Sequence, residues 1–492
     1  MLDKFFRNAV LIAGAEMVAR AKGLILLPIL SRHLDTAAFG VWSQVAVLVF
    51  TLSPLVALGS ENGVIRLLPG LEHDRQCRQF TAWLIFVAGS ALVIGAAIAL
   101  GRSWLAGAFF GPEKEYEHFL PLAALGLVAT ALLYAGRMWL LIRGRGRTLA
   151  AITLTQAVLT VGAVSAVIVL NGSVYAIVAA GIAADLVAGF GVLALIPAQG
   201  GMRRPDFAVI GPALRFGLPF LPAAYAMWGL NWMDRLFLVH YRGLGDIGLY
   251  TVAYSLGFAV IQMFVSPIWV MYPSAATELH NRSDHSGMTR LLHATSGTIV
   301  AITLPAIAGL WALDTPIIRV IAGPGYVGAA PIMPIIALAY FFTMMASFPS
   351  LALGFAYRQR LATLSIGLAA GVNLILNIAL IPQFGVLGAA SATALAFAVQ
   401  FLVTWRFAAQ KGPFWNGMLY PVKIAIAAAG MAALTRMLND LLATSDVTRI
   451  LVLVPTAVFF YIAFSLLLGT MPAWVTSALR QRLAGPLRPR SR

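Results

Sequence analysis

Charge is scarce in this chain, and negative charge is scarcest. Its 492 residues hold 18 Asp and Glu against 34 Lys and Arg, and charged residues of both signs make up only 11%. Soluble domains carry roughly 25% charged residues, so an ordinary water-exposed domain is excluded. Cysteine occurs once, as Cys77, which excludes an intramolecular disulfide. His280, His285 and His293 are spaced five and eight apart rather than on a four-residue zinc face. Long polar stretches are missing too, which leaves no room for a soluble catalytic domain.

What is present is apolar: 60% of residues are hydrophobic, and the mean hydropathy is +0.87. Windows of about 20 apolar residues fall at 8–30, 39–59, 80–100, 118–142, 149–170, 174–197, 212–233, 247–270, 291–312, 331–355, 362–381, 386–407, 418–437 and 449–470. These fourteen windows predict an all-α polytopic membrane protein.

The net charge of +16 is explained by its placement, which argues against a nucleic-acid partner. Alternate loops hold about 21 and about 7 Lys and Arg. The rich side carries Lys4, Arg7, Arg66, Arg75, Arg78, Arg143, Arg145, Arg147, Arg203, Arg204, Arg282, Arg290, Arg358, Arg360, Arg406, Lys411 and the tail from Arg480 to Arg492. The poor side includes 112–118 and the turn at 171–173. Positive-inside placement puts both termini in the cytoplasm, as an even number of spans requires. The basic tail reads as a topology anchor attracted to anionic membrane lipids. Basic residues precede the first apolar stretch, but Glu16, Arg20 and Lys22 interrupt it, so it reads as a retained helix rather than a signal peptide.

Those three charges are the most informative in the chain. Each costs at least ~2.5–3.5 kcal/mol at bilayer depth and needs a partner or a wet cavity. Glu16 and Arg20 stand in acid-first i,i+4 order, which permits a self-neutralising pair. Lys22 points elsewhere, which permits a cationic site for an anionic group.

An internal repeat is legible. ILSRHLDTAAFGVWSQV at 29–45 echoes LFLVHYRGLGDIGLYTVAY at 236–254, with Phe39-Gly40-Val41-Trp42 matching Ile247-Gly248-Leu249-Tyr250 at a shift of about 208. A weaker echo joins 170–181 to 382–393 at about 212. Two six-helix lobes, 1–200 and 201–410, follow as parallel repeats, with 411–492 adding two helices and a basic tail. Parallel repeats place a substrate site between the halves near the midplane.

Other motifs are weaker. Gly243 to Gly248 matches a dinucleotide fingerprint in letters but lacks a βαβ unit, so it reads as turn and helix-entry glycine. Pro219 and Pro222 break the seventh span, and Asn231, Asp234 and Arg235 follow on one face, as a polar helix end with a snorkelling Arg or as a site. Asp185 stands alone in the sixth span, either neutral or partnered by a cation such as Arg20, Lys22 or Arg137. Asn373 and Asn377 suit interhelical packing. Trp42, Trp104, Trp139 and Trp269 lie near span ends, as interfacial belts do.

Three stretches resemble the Wzx-type polysaccharide flippases of the multidrug/oligosaccharidyl-lipid/polysaccharide exporter superfamily. They are KGLILLPILSRHLDTAAFGVWSQV with the following GSENGVIRLLP, then FGLPFLPAAYAMWGLNWMDRLFLVHYRGLGDIGLYTVAYSLG, and NLILNIALIPQFGVLGAASATALAF. The resemblance implies lobes in a V, a central cationic cavity and alternating-access export of undecaprenyl-diphosphate-linked oligosaccharide across a bacterial inner membrane. It implies no cofactor and no enzyme activity. A glycan polymerase and a chain-length regulator are the implied protein partners. Candidate cargo contacts are Arg20, Lys22, Arg235, Asn231 and Arg137; candidate ion-coupling groups are Glu16, Asp185 and Asp234. A cation-coupled drug antiporter should carry more membrane acids than bases, whereas here Arg20, Lys22, Arg137, Arg215 and Arg235 outnumber Glu16, Asp185 and Asp234. A peptidoglycan-precursor flippase shares the chemistry, and a membrane glycan polymerase or ligase would need a larger outer loop.

Alternating loop charge generates a topology test. A thiol probe at Arg145→Cys should label only from the cytoplasm and one at Glu115→Cys only from outside. The reverse at either position sinks the N-in assignment.

Overall fold

The computed structural model describes residue 14 and residues 22–112, 114–198, 200–408 and 419–470. Among them are helices and turns and no strand. In chain order the helices are α1 (Lys22–Ser31), α2 (Thr36–Ala57), α3 (Ser60–Leu67), α4 (His73–Leu100), α5 (Arg102–Phe110), α6 (Leu120–Ile142), α7 (Gly146–Val169), α8 (Val174–Ala198), α9 (Ile210–Gly217), α10 (Leu221–Trp232), α11 (Asp234–Tyr241), α12 (Leu244–Asn281), α13 (His285–Ala312), α14 (Asp314–Ile321), α15 (Met333–Phe355), α16 (Gln359–Phe407), α17 (Leu419–Leu441) and α18 (Asp446–Leu467).

Twelve helices among the described residues are long and apolar enough to cross a membrane. One of them, α16, contains two expected spans, and α1 is the described end of the first, so the fourteen-span reading holds. The starts of α2 and α13 carry side-chain caps that accept otherwise orphaned N–H groups. Asp35 accepts from Ala38 N at 2.8 Å and Asp284 from Gly287 N at 2.7 Å.

Three short helices, α3, α5 and α14, occupy stretches that the sequence reads as loops, because eight or nine residues fall below any spanning window. Cys77, expected in a loop, is instead buried inside α4, whose polar first turns continue past the apolar window. Trp139 is no belt residue: it is fully buried, packs on Phe80 at 4.8 Å and carries the Arg143 guanidinium 5.6 Å from its ring centre.

The chain divides into two compact units, Met1–Val252 with Ala369–Ala392, and Ala253–Leu368 with Thr393–Arg492. In the first, α6 packs on α8, α4 and α2. In the second, α17 and α18 pack on α13: Tyr461 donates to Ala301 O at 2.6 Å, and Arg436 donates to Trp311 O at 3.0 Å while lying 4.4 Å over its ring.

Within the first unit the sequence repeat becomes a contact. Gly40 packs on the Leu244 carbonyl, and Gly248 packs on that of Thr36. Thr36 and Leu244 are repeat mates, as are Gly40 and Gly248, so the contact is reciprocal, as a two-fold axis demands. Ser43 and its mate Thr251 hydrogen-bond to each other at 2.9 Å, 208 residues apart, next to that axis. At the basic-loop end a second reciprocal contact joins α3 to α9. Gly59 rests on Gly217 O, Gly217 on Gly59 O, and Gly63 on Ala213, a small-xxx-small pairing that lets backbones touch.

The remaining break is in α16. Pro382 removes a donor and Gly385, at φ 54°, leaves the helical region. Arg242 donates to Pro382 O at 3.0 Å and Gln383 O at 3.2 Å, meeting carbonyls exposed by the kink.

A Cβ at Gly248 would overlap the Thr36 carbonyl, so Gly248→Ala should destabilise by about 1–3 kcal/mol. Gly162→Ala, in a helix with nothing within 4 Å of the new methyl, should be neutral or stabilising by up to about 1 kcal/mol. Melting of the detergent-solubilised variants checks the contrast, and equal melting would remove the reciprocal contact as a constraint.

Candidate functional site

Two charged clusters are held inside the first unit, and they differ in kind. At the α10–α11 junction, Asp234 and Arg235 are each 1% exposed. Arg235 Nη1 donates to Asp234 Oδ1 at 3.1 Å and to Asn231 O at 2.9 Å, and Tyr250 donates its hydroxyl proton to Asp234 Oδ2. The guanidinium lies 4.7 Å from the Trp232 ring centre and 5.1 Å from that of Tyr250. Arg235 therefore does not snorkel; in this state its charge is enclosed with its counter-ion and shows nothing to a cargo. Asn231 is half-buried and donates to Met227 O at 2.7 Å.

The second cluster ties α6, α7 and α8 together. Arg137 Nη2 donates to Gln156 Oε1 at 2.5 Å, Gln156 Nε2 donates to Asp185 Oδ1 at 2.8 Å, and Thr160 donates to the same oxygen at 3.2 Å. Asp185 is therefore partnered, though through an amide rather than by a cation directly. Arg137 and Asp185 are both half-buried. The helical side chain of Arg137 leans toward the α6 N-terminus, away from the basic loop at Arg143. Its charge meets a neutral acceptor, and no described carboxylate lies within 4.0 Å of it.

Of the remaining expected residues, Glu16 and Arg20 lie outside the described residues, and Lys22 is half-buried at the start of α1. Asn373 and Asn377 are fully buried, and Asn377 donates to Asn373 Oδ1 at 3.0 Å along their own helix rather than across helices. No group of three or more His, Cys, Asp or Glu that could hold a metal is formed by the described residues.

Sequence reasoning missed Gln156 and Tyr250, whose roles depend on what faces them across helices. It also missed Glu61, a half-buried acid on α3 with one carboxylate oxygen buried and without a hydrogen-bond partner among the described residues. Burial pushes the Glu61 carboxyl above the usual carboxylate range, against a smaller lowering by its own backbone. An acid between glycines at 59 and 63 was the available signal.

This fold is shared with solved structures of membrane transporters. The structure is similar to the lipid II flippase MurJ in an inward closed conformation, at TM-score 0.79 and 14% identity over 96% of this chain and 100% of that one. It is also similar to an inward-facing multidrug resistance MATE family transporter of the MOP superfamily, at TM-score 0.58 and 13% identity over 81% and 97%. Identities this low speak for fold alone. An uncharacterized membrane protein of Methanocaldococcus jannaschii is 23% identical over 173 residues, 35% of this chain and 34% of that protein, so the match spans about a third of that relative. A family model described as polysaccharide biosynthesis protein matches residues 29–331. The chain belongs to that family, and it is a multi-pass membrane protein.

The buried pair at the junction generates a thermodynamic test. Asp234→Leu alone leaves Arg235 buried without its counter-ion and should cost about 3–5 kcal/mol. Joint replacement, Asp234→Leu with Arg235→Leu, should recover most of that loss in a melting experiment. A double variant as unstable as the single would mean the pair fixes the junction by more than charge.

Proposed function

We propose that the protein is a flippase that carries undecaprenyl-diphosphate-linked oligosaccharide repeat units from the cytoplasmic to the periplasmic face of a bacterial inner membrane. One observation carries this reading: Arg137, in a spanning helix, is held by a neutral amide and not by a carboxylate. A cation so placed is stabilised by an arriving anion, and a diphosphate supplies about two negative charges with several acceptor oxygens. Arg20 and Lys22 join Arg137 as the diphosphate-binding cations, and Asn231 faces the glycan. Arg235 enters the cargo path only in a state that opens the α10–α11 junction.

Two close backbone contacts support alternating access. The Gly40–Leu244 and Gly248–Thr36 contacts at the charge-poor end and the Gly59–Gly217 contact at the basic end each join residues before 200 to residues between 201 and 252 within the first unit. Opening one while keeping the other exposes the cavity to one side at a time. Parting the first also breaks the Ser43–Thr251 hydrogen bond.

An inside-negative potential drives an anion outward by about 2.3 kcal/mol per charge per 100 mV, so cargo export needs no cation to move with it. Resetting an empty cationic cavity does benefit from an inward H⁺ or Na⁺, for which Glu16, Asp185 and Asp234 are the carriers. The glycan polymerase and chain-length regulator of the same pathway are the protein partners. A peptidoglycan-precursor flippase differs only in cargo, so the lipid-linked saccharide that accumulates on deletion separates the two.

Deleting the gene should accumulate lipid-linked repeat units on the cytoplasmic leaflet. Arg20→Ala, Lys22→Ala and Arg137→Ala should each reproduce that accumulation with the protein retained in the membrane, and Arg137→Lys should keep partial export if a point charge suffices. Normal export in the triple alanine variant sinks the diphosphate site. Glu16→Gln removes titration while keeping shape; in proteoliposomes, an unchanged response to a pH or Na⁺ gradient would return Glu16 to positioning Arg20.

A further inference from the structure

At the basic-loop end of the second unit, the last turns of α12, the first turn of α13 and the last turns of α15 line an open cavity of about 340 Å³. No Lys or Arg lines it. Its apolar wall is a set of aromatic rings. Tyr272 and Phe348, both buried, pack edge to face at 4.7 Å and 78°. Trp269 backs them, stacked on Tyr272 at 5.7 Å and edge-on to Phe348 at 5.6 Å. The His280 imidazole stacks on Phe355 at 4.5 Å and 11°, covering one face of that ring and carrying a donor and an acceptor on its own edge. Ser283 and His285 complete an uncharged polar rim.

The one carboxylate in the lining is already committed. Asp284 accepts from Gly287 N at 2.7 Å and from Ser286 Oγ at 2.8 Å, which is the cap that starts α13. Those bonds hold its carboxyl below the usual carboxylate range. The cavity thus differs from the Arg137 cluster: it has flat apolar faces and neutral donors and acceptors, with no cation for a phosphate and no spare anion for a metal.

We propose that this cavity binds a neutral sugar ring, so that the chain holds the saccharide and the diphosphate of its cargo at separate places. The proposal rests on the glycan-flippase reading and names the residues that would meet the sugar. A pyranose has a face of C–H bonds and an edge of hydroxyls that both donate and accept. The Phe355–His280 platform matches the face, and His280, Ser283 and His285 match the edge. An alkyl chain would fit the rings but would leave the donors and acceptors of that exposed rim unused. A cavity of this size lies at the lower end of the 300–1,000 Å³ typical of small-molecule sites, which suits one ring rather than a long glycan.

The test uses the full chain in lipid nanodiscs and saturation-transfer NMR with the methyl glycosides of glucose, galactose and N-acetylglucosamine. Transfer to the ring protons of at least one glycoside is expected. It should fall about fivefold or more in Phe355→Ala and in His280→Ala, as loss of a stacking partner implies. Phe355→Leu, which keeps most of the volume but not the ring, should show the same loss and guards against collapse of the site. Gly162→Ala should leave the transfer unchanged, as should excess pyrophosphate. Absence of transfer from all three glycosides, or equal transfer in the Phe355 variants, overturns the proposal. Displacement of the glycoside by pyrophosphate or by the cation tetraphenylphosphonium overturns it too, in favour of a charged ligand. No translocation enters the readout, so the two readings fail separately. A chain that exports lipid-linked saccharide yet binds no glycoside loses only the pocket, and one that binds glycosides without accumulating cargo on deletion loses only the flippase.

Discussion

Lipid offers no hydrogen bonds, and each irregularity in this fold is a response to that constraint. A backbone group left bare in hydrocarbon costs several kcal/mol, so the breaks survive only where protein meets them. The kink in α16 frees the Pro382 and Gln383 carbonyls, and Arg242, arriving from the end of α11, donates to both. The break before α10 is shortened to a single tight turn at Leu218–Phe220, where Pro219 gives up a donor that the helix start would have left unpaired. At Gly40 and Gly248 the same constraint works through contact: backbones approach until carbonyls pack against glycine, leaving no gap to hydrate.

The fold was largely legible because that constraint writes itself in the sequence as length. A spanning helix needs about 20 apolar residues, and those windows located every long helix. α3, α5 and α14 escaped because segments of eight or nine residues are too short to fill such a window. The repeat was legible because a two-fold contact requires the same small residue at both mates, which is why glycine stands at 40 and at 248. Trp139 was misread because position along a helix says nothing about which side the ring takes; here it turns inward onto Phe80.

The site was less legible, and the reason is register. Asp185 and Arg137 each looked solitary, since their link runs through Gln156 on a third helix, and no spacing within one chain segment encodes three-helix alignment. Asp234 and Arg235 were visible as a charged dipeptide, yet their enclosure depends on Tyr250 and Trp232 closing over them. Adjacent letters identify a pair of charges, while only packing decides whether that pair is a contact surface or a buried fastening.

The two clusters assign different work to the same kind of residue. Desolvating an ion costs several kcal/mol even after relaxation, so a buried cation persists where that cost is met by a fixed counter-ion or by one that arrives. Arg235 meets it here with a fixed counter-ion: carboxylate, carbonyl and two aromatic faces surround it, and the pair holds the junction between α10 and α11. Arg137 meets it in part, with an amide that supplies an oxygen but no negative charge, and Asp185 stands one hydrogen bond further away. Were Asp185 in direct contact, the cation would be as settled as Arg235 and an incoming anion would have to displace it. Placing Gln156 between them keeps the carboxylate close enough to orient the network and far enough to leave the guanidinium's charge available. That spacing would suit the proposed carriage of anionic headgroups, since a site neutralised too well would never bind a cargo, and one left wholly bare would not stay folded in the membrane.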